Sequence, residues 1–491
     1  MSIKNKLKGA SADSIILIFV RLVTTALSFV MTRLLSQHLS VLEYGTYSQV
    51  MLLISTISSL TILGMMDGVN FFFCKEKDEK KRDAYLATIF SFQYIVSIVA
   101  AIIVFALTIP ICIYFDNADL KKLIIFAAVL PLLQNLISLL QILFVAVGKA
   151  KALAVRNLVF SFLRLIAILI VCYVTYNIAT LFLCTILMDV AQIVYFRVIL
   201  IKNGCKLNLL KSDFKFLKEI IYYCVPMAMA TIVNSLNRDC DKYIISAFTD
   251  TETLAIYSNA SRLLPFDIIM TAFCTVLLPY VTKFIAEKRF DDAQKLYKAF
   301  LEITYISTTI LACGVICAAP EVMQLLYTQK YLSGVNVFVI YIIVDIVRFL
   351  GITLILSASG KTKYIMFISV GSLALNFVLN ITFYLLFGVV GPAIATLMVT
   401  IISGLVMSIV GFKAINSSII KMYDFKYLLI FIFEILLGMG AMLILRNVLL
   451  RLNLSYIFVL LIVCCIFVSV IFALNIKRFF RNLSVINKFK L

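Results

Sequence analysis

Gly148-Lys149-Ala150-Lys151 follows one long apolar run, and 212 residues further on Gly360-Lys361-Thr362-Lys363 follows another. Tyr47-Ser48 recurs as Tyr257-Ser258 at an offset of 210, Arg33 as Lys242 at 209, and Glu76-Lys77 as Glu287-Lys288 at 211. One such match is weak. Four at nearly constant spacing, each at the same place in a cycle of six apolar runs, indicate an internal duplication. Six is even, so both copies enter a membrane with the same orientation, as in transporters built from parallel repeats, whose ligands bind at the repeat interface.

That the runs are membrane spans follows from composition. Apolar residues make up 63% of the 491-residue chain and charged residues 14%, against roughly 45–50% and 25% in soluble domains. Stretches of about 20 residues able to cross the hydrocarbon core fall at 14–36, 45–66, 85–109, 123–147, 157–176, 179–200, 220–245, 254–284, 299–319, 335–357, 364–386, 391–412, 427–446 and 454–474. The expected fold is an all-α polytopic membrane protein with fourteen spans. Two six-helix lobes hold the repeat, and two C-terminal helices stand outside it. The boundaries are 1–201 for the N-lobe, 202–219 for a cytoplasmic linker, 220–412 for the C-lobe, 413–474 for the last two spans and 475–491 for a basic tail.

The net charge of +19 would suit nucleic acid in a soluble protein. Here its distribution argues otherwise. Of the 44 Lys and Arg, 32 lie toward the side of the termini, in connections or at span ends, six toward the opposite side and six deeper inside spans. The bias places both termini in the cytoplasm, without a nucleic-acid partner. Lys4, Lys6 and Lys8 precede a run too long for a signal peptide and lacking a small-residue cleavage site, which reads as an uncleaved first helix. The twelve cysteines lie mostly inside spans, without metal-site spacing, and read as small apolar packers.

No connection is long enough to fold alone. In 202–219, Leu207, Leu210, Phe214 and Leu217 share one helical face and Lys206, Lys211, Lys215 and Lys218 the other, the pattern of an interfacial amphipathic helix. Ile476, Phe479, Phe480 and Leu483 among basic residues give the tail the same pattern.

Polar residues inside spans carry the functional signal. In span seven, Asn234, Asn237, Arg238, Asp241 and Lys242 stand at i, i+3, i+4, i+7 and i+8 and form one stripe on an apolar helix. Span eight adds Ser258, Asn259 and Arg262, and span one a milder version in Arg21, Thr25, Ser28 and Thr32. A charge facing lipid at the bilayer centre costs about 2.5–3.5 kcal/mol even on a lenient scale, so these residues face protein or water. Two readings stand side by side. One is internal ion pairing, of Arg238 with Asp241, Arg348 with Asp345 and Arg164 with Asp189. The other is the lining of a cavity for an anionic ligand, favoured in span seven because Arg238 and Lys242 share a face with one acid. Arg33, beside Gln37 and His38, either belongs to that lining or snorkels to the outer surface. Asp239, Asp241, Asp267 and Asp345 are candidates for a coupling proton or sodium site, since a carboxylate away from water is costly when charged.

Several motifs together resemble a known group. Thr32-Arg33-Leu34-Leu35 precedes Tyr44-Gly45-Thr46-Tyr47; Asp241-Lys242-Tyr243-Ile244-Ile245 precedes Ala255-Ile256-Tyr257; Asn376 and Asn380 precede Gly388, Gly391 and Ala395-Thr396. With these the chain resembles, over nearly its whole length, the polysaccharide transporters of the multidrug/oligosaccharidyl-lipid/polysaccharide (MOP) exporter superfamily, and within it the O-antigen flippases. Family sequences often carry Asp-Arg where this chain has Asp241-Lys242, which removes a bidentate phosphate grip there.

The resemblance implies two lobes open alternately to each side, with spans one, two, seven and eight lining the cavity. It also implies transfer of an undecaprenyl-pyrophosphate-linked oligosaccharide between leaflets of the inner membrane. Arg21, Arg33, Arg238, Lys242 and Arg262 would meet the pyrophosphate, and Asn234, Asn237 and Asn259 the sugar hydroxyls. Partners would be membrane lipids, a polysaccharide polymerase and a chain-length regulator; no cofactor is expected beyond a coupling proton or sodium. Two alternatives remain: a drug or metabolite antiporter of the same superfamily, whose cavity should present acids, and a membrane-embedded polymerase or glycosyltransferase. The enzyme reading has little support, because Asp239 and Asp241 diverge by about 200° on a helix and His38 is the single histidine.

Overall fold

The computed structural model describes residues 3–203 and 208–488; the side chains of 3–19, 150, 267–269, 272 and 275 lie outside the description. Among the described residues there is no strand. Helices run in order: α1 Ile3–His38, α2 Val41–Thr61, α3 Met65–Lys75, α4 Glu79–Ala106, α5 Thr108–Tyr114, α6 Leu120–Ala146, α7 Ala150–Ile170, α8 Ile178–Lys202, α9 Leu217–Phe248 and α10 Thr251–Ala260. The order continues with α11 Ile268–Ala286, α12 Phe290–Cys317, α13 Ala319–Leu326, α14 Val335–Val347, α15 Leu354–Ala358, α16 Thr362–Phe387, α17 Gly391–Ala414, α18 Ile419–Met422, α19 Phe425–Arg451 and α20 Tyr456–Lys488. An all-helical answer is what a lipid environment forces, since every backbone N–H and C=O must be satisfied within the segment. Each expected span falls on a helix or a broken helix. Ten stretches among the described residues are long and apolar enough to cross a membrane, and eleven if α2 and α3, bent by 40°, count as one span.

The repeat motif has a structural counterpart. Gly148 and Gly360 both take positive φ, at 78° and 69°. In each copy the next amide bonds back past the helix end, Lys149 to the Phe144 carbonyl and Lys361 to the Leu356 carbonyl, both at 2.9 Å. These are left-handed helix terminations, for which glycine carries no Cβ penalty. α7 and α16 begin immediately afterwards.

The chain divides into two compact units: 1–239 with 246–255, and 240–245 with 256–491. The core of the first unites α3, α4, α6, α8 and the start of α9 around Phe72, Leu139, Phe144, Phe196 and Ile220. The core of the second unites α11, α12, α17 and the end of α20 around Val281, Phe300, Phe412, Ile415 and Ile486.

Three expectations are corrected. Span eight is not one helix over 254–284: α10 ends at Ala260, Pro265 opens a 3-10 turn, and α11 starts at Ile268. The break frees backbone donors, and the Leu264 N–H is taken up by Asp345 Oδ2 at 3.1 Å. In the linker expected over 202–219, the described residues form two 3-10 turns, Leu209–Lys211 and Phe214–Phe216, and Leu217 and Lys218 already open α9, so no separate amphipathic helix forms among them. Asn208 and Asp213 each accept from the backbone two residues on, at 3.0 Å, a local bond that competes with helix. Leu210 is nonetheless 94% exposed; Lys206 and Leu207 lie outside the described residues. The tail, finally, is not a separate surface segment. α20 continues to Lys488, and Arg478 forks onto Glu302 of α12 at 2.8 and 2.9 Å and onto Asp424 at 2.9 Å. Asn482 adds a 2.7 Å bond to Glu302, and the guanidinium lies 3.5 Å over the Tyr427 ring.

Candidate functional site

A cavity of about 570 Å³ opens within the first unit. α2 contributes Met51, Ile54, Ser55, Ser58 and Ser59; the bend at its end adds Ile62 and Met66. α6 contributes Gln134, Asn135 and Ser138, and α9 contributes Thr231, Asn234, Ser235 and Arg238. Six hydroxyls, three amides and one guanidinium thus face a space whose remaining walls are aliphatic or thioether, and among the described residues no carboxylate lines it.

Small polar residues are held there by the helices themselves. The Ser59, Ser138 and Thr231 hydroxyls donate to carbonyls one turn earlier, at 2.9, 2.8 and 3.0 Å, which satisfies the proton and leaves oxygen lone pairs for a ligand. Asn135 bridges to α2, donating to Thr61 Oγ1 at 2.7 Å and to the Ser58 carbonyl at 3.3 Å. Arg238 donates from Nη2 to Ser55 and Ser235 hydroxyls and to Asp239 Oδ2 at 3.2–3.3 Å. Its side chain remains 60% exposed, while that of Asp239 is 6% exposed. The buried acid therefore fixes the base without covering it.

In the second unit Asp241, 1% exposed, accepts hydrogen bonds from the hydroxyls of Tyr257, at 2.9 Å, and Tyr341, and from the Lys242 N–H at 2.9 Å. Lys242 and Arg262 are half-buried and Asn259 is buried. Asn376 and Asn380 are buried on α16, with Asn380 donating to Asn376 Oδ1 at 3.3 Å. Asp345 pairs with Arg348 at 3.2 Å, as expected.

Of the expected ligand-binding residues, Arg238 and Asn234 meet on this cavity. Asn237, on the same helix, is half-buried, Arg21 is exposed on α1 and Arg33 is half-buried. Lys242, Arg262 and Asn259 belong to the other unit, and the Asp267 side chain lies outside the description. Two expected ion pairs do not form. Arg238 meets Asp239 rather than Asp241, because Asp241 is claimed by the two tyrosines. Arg164 stays exposed, while Asp189 accepts from Gln192 at 2.9 Å. The hydroxyl and amide lining from spans two and four was missed. Its signal was present: Ser55, Ser58 and Ser59 stand at i, i+3 and i+4 of an apolar helix, the spacing that drew attention to span seven.

With this geometry in view, comparison with known proteins places the fold. The chain is similar to a lipid II flippase MurJ in an inward closed conformation, with TM-score 0.72, 16% identity, and 94% of this chain and 100% of that one covered. It is also similar to an outward-facing multidrug resistance MATE family transporter of the MOP superfamily, with TM-score 0.58, 13% identity and coverage of 82% and 94%. A MOP superfamily transporter from Pyrococcus furiosus matches at TM-score 0.54 and 12% identity, covering 83% and 94%. The fold is thus the one shared by these multi-pass membrane proteins. Residues 30–336, more than half of the chain, match the family model for polysaccharide biosynthesis proteins, and the chain belongs to that family. No curated protein sequence matches it.

Proposed function

We propose that the protein flips an undecaprenyl-pyrophosphate-linked oligosaccharide, an O-antigen or similar repeat unit, from the cytoplasmic to the periplasmic leaflet of the inner membrane. The observation that carries this reading is the lining of the cavity around Arg238. Its hydroxyls and amides suit sugar hydroxyls, and its acid-anchored, exposed guanidinium suits a phosphate oxygen pair. A cavity for organic cations would instead present carboxylates. Family membership supports polysaccharide precursors as cargo, and a structural neighbour that is a lipid II flippase supports a lipid-linked one. The 32 bases on the side of the termini support cytoplasmic ends.

Alternating exposure of the cavity carries the headgroup while the polyprenyl chain stays in lipid. In the first unit Arg21 and Arg33 serve as further headgroup contacts and Asn237 as a sugar contact; in the second, Lys242 and Arg262 serve a headgroup and Asn259 a sugar. Coupling to a proton or sodium draws on Asp239, Asp241, Asp267 or Asp345; Asp241, in its tyrosine cage, is more enclosed than Asp239 and Asp345. A polymerase and a chain-length regulator act on the product. In a strain deleted for this chain, complete lipid-linked repeat units accumulate on the cytoplasmic leaflet. Arg238→Ala abolishes rescue and Arg238→Lys restores part of it; full rescue by Arg238→Ala, or accumulation of incomplete units, overturns the reading.

A further inference from the structure

The turn that follows α8 leaves large apolar side chains uncovered. Leu209, Leu210 and Phe214 are exposed, as is Ile201 at the end of α8. The turn is nevertheless tied down: the Thr88 hydroxyl of α4 donates to the Asp213 carbonyl at 3.2 Å and accepts from the Asp213 N–H at 3.0 Å. Leu209 closes one side of a second cavity in the first unit, of about 70 Å³, whose other walls are Phe90 and Tyr94 of α4, two leucines of α6, and Ile193 and Arg197 of α8. It is far smaller than the cavity around Arg238, and it has room for a slender hydrocarbon chain rather than an oligosaccharide.

One charge stands in this apolar wall. Among the described residues the Arg197 guanidinium meets no carboxylate or other acceptor. The Tyr94 hydroxyl, near enough to feel that charge, has no hydrogen-bond partner there either. Arg197 lies five residues before the end of α8 at Lys202, about 7–8 Å along the axis, the depth at which acyl chains give way to headgroups. Lys202, Lys211 and Lys215 near the rim are exposed, and none of them pairs with a carboxylate among the described residues. The linker's own acid, Asp213, is turned to backbone, accepting from the Lys215 N–H at 3.0 Å. This end of α8 is on the side of the termini, where the charge bias places the anionic leaflet. A guanidinium at this depth without a counter-charge is costly, so the pocket calls for an anion with an apolar tail.

We propose that the pocket binds one anionic phospholipid of the surrounding bilayer. An acyl chain lies between α4, α6 and α8 beside Leu209, and the phosphate accepts from Arg197 and Tyr94. Lys202 and Lys211 face the remaining headgroup charge. A guanidinium fork matches two phosphate oxygens, and basic pockets between spanning helices are suited to anionic headgroups. Leu210 and Phe214 enter the same leaflet, so the lipid and Thr88 together hold the linker on the first unit. The pocket shares no lining residue with the Arg238 cavity, and the inference stands whether or not the protein moves a lipid-linked oligosaccharide.

Native mass spectrometry of the full-length protein in detergent, titrated with dioleoyl phosphatidylglycerol, tests this. The wild type retains one phosphatidylglycerol in preference to phosphatidylcholine. Arg197→Gln weakens its binding about fivefold, the effect of one base beside an anionic headgroup, and Arg197→Lys keeps most of it. Lys361→Gln, which removes an exposed base of the second unit, leaves it unchanged. Ile193→Phe fills the pocket and weakens binding with no change in charge, which separates a seated chain from attraction to a basic surface. Equal retention of the two lipids overturns the proposal, as does undiminished binding of phosphatidylglycerol by folded Arg197→Gln or by folded Ile193→Phe. Displacement by glycerol 3-phosphate at the lipid's own concentration overturns it in favour of a free phosphate, and tighter retention of undecaprenyl phosphate than of phosphatidylglycerol overturns it in favour of the cargo lipid.

Discussion

Arg478 shows how a single side chain changes meaning between chain and fold. In sequence it is one base among several beside Phe479 and Phe480, the pattern of a lipid-surface helix. In the fold its side chain is 16% exposed and pairs with Glu302, 5% exposed. Amphipathic spacing records that a face is cationic, not whether a headgroup or a protein carboxylate neutralises it. Removing one partner of such a pair leaves an uncompensated buried charge, at a cost of about 3–5 kcal/mol. Arg478→Met therefore lowers the unfolding midpoint of the detergent-solubilised protein sharply. The double change Arg478→Met with Glu302→Leu recovers most of the loss, because both desolvation terms disappear together.

At the scale of elements, close approach separates glycines that look alike in sequence. Thr251, at the start of α10, packs on Gly45 in the first turns of α2, where a Cβ would lie 2.2 Å from the Thr251 carbonyl oxygen. Gln49 bonds Thr251 Oγ1 at 3.1 Å, and Asn117 bonds Gln49 and Thr46 at 2.7 and 2.9 Å. The segment 246–255, the end of α9 and the start of α10, is thereby fastened into the first unit. Gly440 in α19 has nothing within 4 Å of the same position. Gly45→Ala should destabilise by about 1–3 kcal/mol through overpacking, while Gly440→Ala should stabilise by about 0.5–1 kcal/mol through lost backbone entropy in the unfolded chain. Opposite shifts in thermal midpoint check both. The Tyr44-Gly45 motif was visible in the sequence; its contact, some 200 residues away, was not.

For the whole molecule, the composition and the succession of long apolar helices were legible without coordinates, because a hydrocarbon solvent imposes them locally. The charge bias is likewise a property of the chain, and it yields a topology test. A fluorescent protein fused after Lys488 should fluoresce and alkaline phosphatase fused there should be inactive; the reverse result refutes the proposed orientation. Tertiary structure alone decided which polar residues share a space. The stripe on α9 was readable as a stripe, since periodicity lies within one helix. That Asn234 and Arg238 face serines of α2 and amides of α6, that Asp241 is held by Tyr257 and Tyr341, and that Arg197 and Tyr94 share one apolar pocket, depends on contacts between helices remote in sequence. Lipid supplies no hydrophobic drive to distinguish one helix face from another, so only packing between helices sets which faces meet.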